Sequence, residues 1–495
     1  MIFLVLCLVV LVLSLYFCLK FFYKRRHLYF ASCQLPGPFP WPIFGNGLSF
    51  ICDYRDVLKK FLAISGPYPS PSRFWLGPRL VVFIKDADQL QTTMQSAKFT
   101  QKSFVYKFLE PFMGKGLFTS GGTKHKNDRK LLQFLYGPKY IEGYSVIFEK
   151  HAKKLVNVLE KHIGKDYFDV LHYIHDSAFE ESIDILIEEK DDLNGTIDYS
   201  KIPGYIRRFY YIFIQRCLKF WLHSNYLYKL TGFYKEQQMM VDILDKVIDH
   251  VKQRRLPETA KRLVLNSDWT IPTIMDLMTQ LVMDDPDCLN ETDARDHLMT
   301  FFATSQDTQS SAIAFTLMML GIYKDIQKKV IEELNDVLDN RKIITFGDAG
   351  KLKYLEMCIK EAMRLFPLGP FLPRDVLEEF QLGKYTIPRG CTVLLGVYNV
   401  HRDSKHWVNP KKFYPEHFTD EASSKRHPFA YLPFSGGPRR CIAQQYSLVN
   451  MKIIIGNILM NYSIDCPTTL ENLELMTDIS IRPMNGYMIK ISKRT

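Results

Sequence analysis

"PFSGGPRRCIA", residues 433–443, decides how the rest of the chain is read. Gly436 and Gly437 permit tight backbone, and Pro438 stiffens it. Arg439 and Arg440 set two cations just before Cys441, and residues 442–459 beyond it, "IAQQYSLVNMKIIIGNIL", carry helical apolar spacing. A thiol near a helix N-terminus and beside two guanidinium groups is expected to have a lowered pKa and to present thiolate. Thiolate is a nucleophile or a metal ligand. A nucleophile needs a neighbouring base, and this loop supplies no His or Asp. An axial ligand to heme iron needs a rigid, donor-rich backbone and a shielding aromatic, here Phe434.

A second stretch raises its own question. "ATSQDTQSS", residues 303–311, puts a small polar block between Leu298, Met299, Phe301 and Phe302 on one side and Ala312 to Phe315 on the other. Polar groups in such surroundings are costly unless they are partnered or used. On a helix Thr304, Asp307, Thr308 and Ser311 share one face. Taken alone, the block also reads as a small-residue contact between helices.

The cysteine loop resembles the heme-binding signature of the cytochromes P450, Phe-x-x-Gly-x-Arg-x-Cys-x-Gly/Ala, at Phe434, Gly437, Arg439, Cys441 and Ala443. Three more segments resemble the family in its order. "KEAMRLFP" carries Glu361 and Arg364 as its Glu-x-x-Arg; "PKKFYPEHF" resembles the segment that completes that lock, with His417 where the family has arginine. Imidazole lacks the guanidinium fork, so a weaker lock is expected. "GGTKHKNDRKLL" resembles the helix whose Trp-x-x-x-Arg holds a heme propionate, with Arg129 at the arginine and His125 at the tryptophan.

The resemblance covers essentially the whole chain, and within the family it is nearest to the animal and insect microsomal fatty-acid omega-hydroxylases. It implies a mainly α fold with small β-sheets, with heme b between a long oxygen-activating helix and the cysteine loop. Cys441 would ligate the iron, while Arg129, His125, Arg374 and Arg439 would hold the propionates. Asp307 and Thr308 fall at the acid–alcohol pair, so Thr308 would hydrogen-bond the oxygen under activation and Asp307 would connect it to solvent protons. Ser305 stands where the family usually has glycine, and Thr304 where some omega-hydroxylases have a glutamate esterified to heme; non-covalent heme is expected. The implied reaction inserts one atom of O2 into a lipophilic substrate such as a fatty acid, sterol, hormone or xenobiotic. Electrons would come from NADPH through cytochrome P450 reductase, with cytochrome b5 as a further donor. Lys124, Lys126, Lys130 and Arg440 would lie on one face, as docking charges or as ordinary solvated surface. Two alternatives remain: a heme-thiolate isomerase or dehydratase of oxygenated lipids, which Asp307–Thr308 disfavours, and a non-catalytic heme protein that binds lipophiles. Phe302, Ala303, Leu368, Phe371 and Met484 are expected to line an apolar pocket.

Bulk properties fit this frame. The 495 residues are 47% hydrophobic with net charge +11, and no low-complexity linker divides them after residue 50. One large domain over residues 51–495 is expected, with no nucleic-acid motif. The ten cysteines show no metal-binding spacing, which suits a reducing compartment. Residues 1–19 are uncharged and long enough for a transmembrane signal anchor, and Lys20 with Lys24 to Arg26 opens a basic, proline-rich hinge over 20–50. Positive charge at that end is expected to keep the body on the cytosolic face, and the resemblance implies the endoplasmic reticulum as the membrane. The sequons at Asn194, Asn290 and Asn461 then stay unglycosylated. Helices are expected over 147–162, 236–256, 289–323 and 350–366, and short strands at 80–84, 393–397 and 487–491. The basic-aromatic stretch 202–233 reads as core or as a membrane-dipping surface.

Overall fold

The computed structural model describes residues 2–188, 201–265, 272–339 and 341–494, so Asn194 lies outside the described residues. Nine helices position the site: α1 (Ile2–Cys33), α2 (Gly122–Leu132), α3 (Pro138–Leu159), α4 (Leu171–Leu186), α5 (Ile202–Leu218), α6 (Gly232–Leu265), α7 (Glu291–Ile322), α8 (Lys353–Leu365) and α9 (Gln444–Asn461). Each of the four helices expected from sequence is present, with ends moved by a few residues or more. Asn290 caps α7 by accepting from Asp293 N–H at 2.9 Å, and Glu291 and Asp293 suit the positive end of that helix. α8 stops at Leu365, two residues before Pro367.

Helix α7 runs through the core and packs on α4, α8 and α9, while α3 packs on α4 and α9. Ala312 to Leu320 are buried with no polar side, apart from Thr316, so this half of the helix is stabilised by burial all round. Three threonines of this helix are satisfied locally, whereas the side chains of Gln306 and Ser310 are buried without a hydrogen-bond partner among the described residues. Thr304, Thr308 and Thr316 donate to the carbonyls of Thr300, Thr304 and Ala312 at 2.8, 3.0 and 2.8 Å.

A four-stranded sheet flanks the bundle: β1 (Ser72–Leu76), β2 (Arg79–Ile84), β3 (Phe371–Asp375) and β4 (Thr392–Gly396), in the order β1-β2-β4-β3. β2 and β4 are parallel, with Val82 opposite Val393; β4 and β3 are antiparallel, with Arg374 opposite Val393. Near the C-terminus β5 (Leu475–Thr477) and β6 (Ile481–Pro483) form a hairpin, and β7 (Met488–Lys493) follows.

α1 does not stop at residue 19: it continues through the basic cluster, so residues 20–33 are helical and only the segment after Cys33 is proline-rich spacer. Its last turns dock on the β1–β2 hairpin. Arg25 Nη1 donates to Pro78 O at 2.7 Å, Tyr29 stacks on Trp75 at 4.7 Å, and Leu28 is buried. The 202–233 stretch divides: Ile202, Phe209, Tyr210 and Phe213 enter the core, whereas Trp221, Tyr226 and Leu230 are exposed. Exposed Phe39, Trp41 and Ile43 follow α1.

Candidate active site

The cysteine loop is held by its own backbone and by the lock behind it. Cys441 N–H donates to Phe434 O at 2.8 Å and Arg440 N–H to Gly437 O at 3.1 Å. Gly437 has φ +64°, and a Cβ there would meet Met94 O at 2.1 Å, so the position admits only glycine. Arg364 is fully buried and uses its whole fork, donating to both Glu361 oxygens at 2.7 Å and to the carbonyls of His401, Pro410 and Lys412. Glu361 also accepts from Tyr414 N–H at 2.8 Å and lies 3.1 Å from His417 Nδ1; His417 Nε2 lies 2.6 Å from Val408 O. His401 carries the lock to the loop. Its Nδ1 faces Arg364 O at 3.1 Å and its Nε2 accepts from Leu432 N–H at 2.7 Å, two residues before Phe434. Burial holds this imidazole neutral, well below its usual pKa, which suits one donor and one acceptor nitrogen.

Cys441 opens onto an internal cavity of about 580 Å³. Its exposure is to that cavity, and the surrounding protein shields it from bulk solvent. The expected lowering of the thiol pKa is corrected here. Burial pushes the thiol up, and Ala443 N–H, Arg129 and Arg440 pull it back only in part. Arg439 is spent elsewhere: its Nε donates to Thr100 O at 2.8 Å and its two other nitrogens to Leu117 O and Ser120 O. A metal cation would supply the stabilisation that a buried thiolate needs.

Thr304, Ser305, Asp307, Thr308 and Gln309 of α7 line the same cavity. The Ser305 hydroxyl lies 2.8 Å from that of Ser182 on α4, so the serine in the glycine position ties two helices together. Thr308 gives its hydroxyl proton to its own helix and is left with lone pairs to accept from the cavity. Asp307 is 3% exposed and bound from the C-terminal hairpin. Arg482 of β6 bridges Asp307 and Asp478, and Ser480 Oγ donates to Asp307 at 3.1 Å. Burial raises Asp307, but Arg482, His175 and Ser480 outweigh it and hold the carboxyl below its usual pKa. Beside it His175 is 1% exposed, with neither ring nitrogen bonded, and burial lowers it to about 4.

One side of the cavity collects the cations Lys102, Arg129, Arg374 and Arg439, with His125 among them as a neutral imidazole. No carboxylate among the described residues lies on that wall; the cavity's lining acids are Asp307 and Asp478, both taken by Arg482. Lys102 is buried and rests against the ring faces of Tyr106 and Phe118 at 4.2 and 4.4 Å. Burial and mutual repulsion lower Lys102 well below its usual value, Arg439 to about 9 and His125 to about 3. Such a cluster calls for an anion of more than one charge. A flat apolar macrocycle with two carboxylates on its edge and a metal seeking a thiolate fits this donor set, which is the description of heme b.

A thiol floor, a cationic wall and a polar helix in one apolar cavity mark a heme-thiolate protein. Residues 35–491 match the family model described as Cytochrome P450. The chain is 32% identical to human "Cytochrome P450 4V2" over 95% of itself and 93% of that protein. It is 27% identical to "Cytochrome P450 4g15" of Drosophila melanogaster, covering 95% and 94%. The fold is similar to the "Crystal structure of cytochrome P450DA heme domain", with TM-score 0.78 and 20% identity over 93% of this chain and 98% of that one. The chain belongs to the cytochrome P450 family and is a heme b monooxygenase related to the animal and insect members numbered 4.

All eight residues singled out from sequence, Asp307, Thr308, Cys441, Arg439, Arg129, His125, Arg374 and Phe434, line the one cavity. Ala303, Leu368 and Phe371 line it too. Phe302 and Met484 do not: Phe302 packs on Phe179, with ring centroids 5.6 Å apart, and Met484 N–H is bonded to Glu474 O near the hairpin end. Lys124 is not a free docking charge either, being paired with Asp293 at 2.7 Å and Asp128 at 3.2 Å. Sequence reasoning missed Lys102, Arg482 and Asp478. A lone lysine in a loop and an arginine in a hairpin carry no local signal of the partners that the fold brings to them.

Proposed function

We propose that this monooxygenase works at the endoplasmic reticulum membrane with its body on the cytosolic face. Residues 1–19 are the anchor, residues 20–50 the basic and proline-rich hinge, helical as far as Cys33, and residues 51–495 the catalytic domain. The hydropathy of α1, its basic flank and the exposed aromatics Phe39, Trp41, Trp221 and Tyr226 support this placement. Electrons come from NADPH through a flavoprotein reductase, with cytochrome b5 as a further donor. Exposed Lys126, Lys130 and Arg440, close to the cysteine loop in the chain or through the Arg129–Arg440 bond at 2.5 Å, suit an acidic partner. The substrate is lipophilic, because apart from the cations and the polar face of α7 the cavity is lined mostly by aromatic and aliphatic side chains.

The observation that carries the reading is that Cys441, the cationic wall and the Asp307–Thr308 pair line one cavity. Cys441 would hold the heme through its thiolate, and Lys102, His125, Arg129, Arg374 and Arg439 would hold its two carboxylates. Bound heme supplies the reduction of O2 and the transfer of one oxygen atom to substrate. Thr308 accepts and returns a proton at its Oγ, the apolar walls exclude bulk water, and Phe434 shields the thiolate. The heme is held without a covalent bond. A spectral binding screen of lipophiles on the purified protein, followed by NADPH-dependent turnover with reductase, tests this. Substrates that shift the heme spectrum and give oxygenated product are expected; product formed without NADPH and O2 would refute it.

A further inference from the structure

The acid expected to move protons, Asp307, is bound as a carboxylate by Arg482 and Ser480. A second buried acid stands beside the cavity. Glu181 of α4 is 2% exposed. One of its oxygens, Oε1, accepts from Asn450 Nδ2 and from Tyr446 Oη at 3.2 Å, both on α9. Its other oxygen, Oε2, is buried without a hydrogen-bond partner of its own. The groups facing it are Gln309 from α7, Tyr446 and Asn450 from α9, and Asp184 one turn further along α4. From α3, Tyr144 and Phe148 pack on the Tyr446 ring. None of these is a cation; Lys150 and His151 of α3 are committed to Asp184 at 2.6 and 2.8 Å.

A carboxyl in such a setting keeps its proton: burial pushes Glu181 up to about 8, and the neutral amide and phenol donors offset this only in part. Its contacts reach both ways. Gln309 and Tyr446 line the cavity, as does Ser182, the next residue of α4. Outward, Asp184 lies one turn along α4, is 17% exposed and is bonded to His151 at 2.8 Å.

We propose that Glu181 is a proton store for the cavity, giving its carboxyl proton through water beside Gln309 and regaining one from solvent at the Asp184–His151 pair. In the giving step the Glu181 O–H bond breaks and its electron pair stays on the carboxylate. The proton passes to water and then to the oxygen atom that the established reaction reduces to water with electrons from NADPH. In the return step a water proton restores the O–H bond. The role rests on the monooxygenation reading, which sets the demand for protons.

The test uses the holoenzyme and Glu181→Gln, whose amide oxygen still accepts from Tyr446 and Asn450 and so keeps the structural bonds. Infrared pH titration of the wild type should show a protonated-carboxyl carbonyl band that disappears as pH rises through about 8 and is missing from E181Q. With reductase, E181Q should give product per NADPH lowered several-fold and an enlarged solvent deuterium isotope effect. Glu181→Asp, which keeps an acid, should recover part of both. Absence of the band in the wild type overturns the proposal. So does an E181Q enzyme equal to wild type in coupling and isotope effect. Failure of the monooxygenation reading would look different: the wild type itself would make no oxygenated product.

Discussion

Replacing Arg482 by Met should expose how strongly the hairpin controls the polar face of α7. The guanidinium, 11% exposed, is shared by Asp307 and Asp478, whose side chains are 4% and 19% exposed. Methionine fills much of the same volume but leaves two carboxylates facing each other without a cation. Removing one partner of a buried pair costs about 3–5 kcal/mol. The pH dependence has a sign. In the wild type Asp307 is held below its usual pKa, so its contribution is complete above the usual carboxylate range and is lost as pH falls through the lowered value. In R482M the counter-ion is gone, His175 is neutral and only Ser480 opposes burial, which lifts Asp307 above the usual range; the variant is then least stable at neutral pH and gains relative to wild type on mild acidification. Urea unfolding of the holoenzyme at neutral and mildly acidic pH measures this, and Asp307→Asn in the R482M background should recover a large part of the loss. Equal unfolding midpoints for R482M and wild type at both pH values would refute the assignment of Arg482 as the counter-ion of Asp307.

Three further outcomes follow from the same geometry. Thr308→Ala should lower product per NADPH while peroxide or excess water rises; an unchanged ratio would remove Thr308 from proton handling. Lys102→Met should speed transfer of heme to an apoprotein scavenger by roughly 10- to 100-fold, the equivalent of one charge-assisted hydrogen bond. The heme-free K102M chain should also be more stable than heme-free wild type, because one of the crowded cations is gone; a gain or loss of the same sign in both states would contradict the anion-holding role. Acidified organic solvent should strip all heme from the polypeptide, since Thr304 offers no carboxyl for an ester bond; heme that stayed with the chain would disprove this.

What the sequence made legible was local. The cysteine loop could be read because its turn and its thiol lie within one short stretch, and Gly437 makes the tight turn that brings Cys441 N–H to Phe434 O. The polar block of α7 could be read because helical periodicity alone puts Asp307 and Thr308 on one side. What escaped was long-range pairing. Asp307 meets Arg482 across 175 residues of chain and Glu181 meets Asn450 across 269, and neither separation leaves a trace in composition or spacing. The thiol pKa failed for a related reason: Arg439 was counted by its place in sequence, whereas its side chain turns to the carbonyls of Thr100, Leu117 and Ser120. The continuation of α1 to Cys33 was not legible either, because charge marks where a membrane stops, while the helix itself continues until the proline-rich stretch.

The crowded cations of the cavity wall have a consequence beyond chemistry. Lys102, Arg129, Arg374 and Arg439 repel one another, and a dianionic cofactor removes that repulsion in the folded chain only. Heme is therefore a folding ligand as well as a reagent. Newly made chains that meet it are stabilised against unfolding, and those that do not are left to chaperones and proteases. The amount of this enzyme a cell keeps is set by its heme supply as well as by synthesis of the polypeptide.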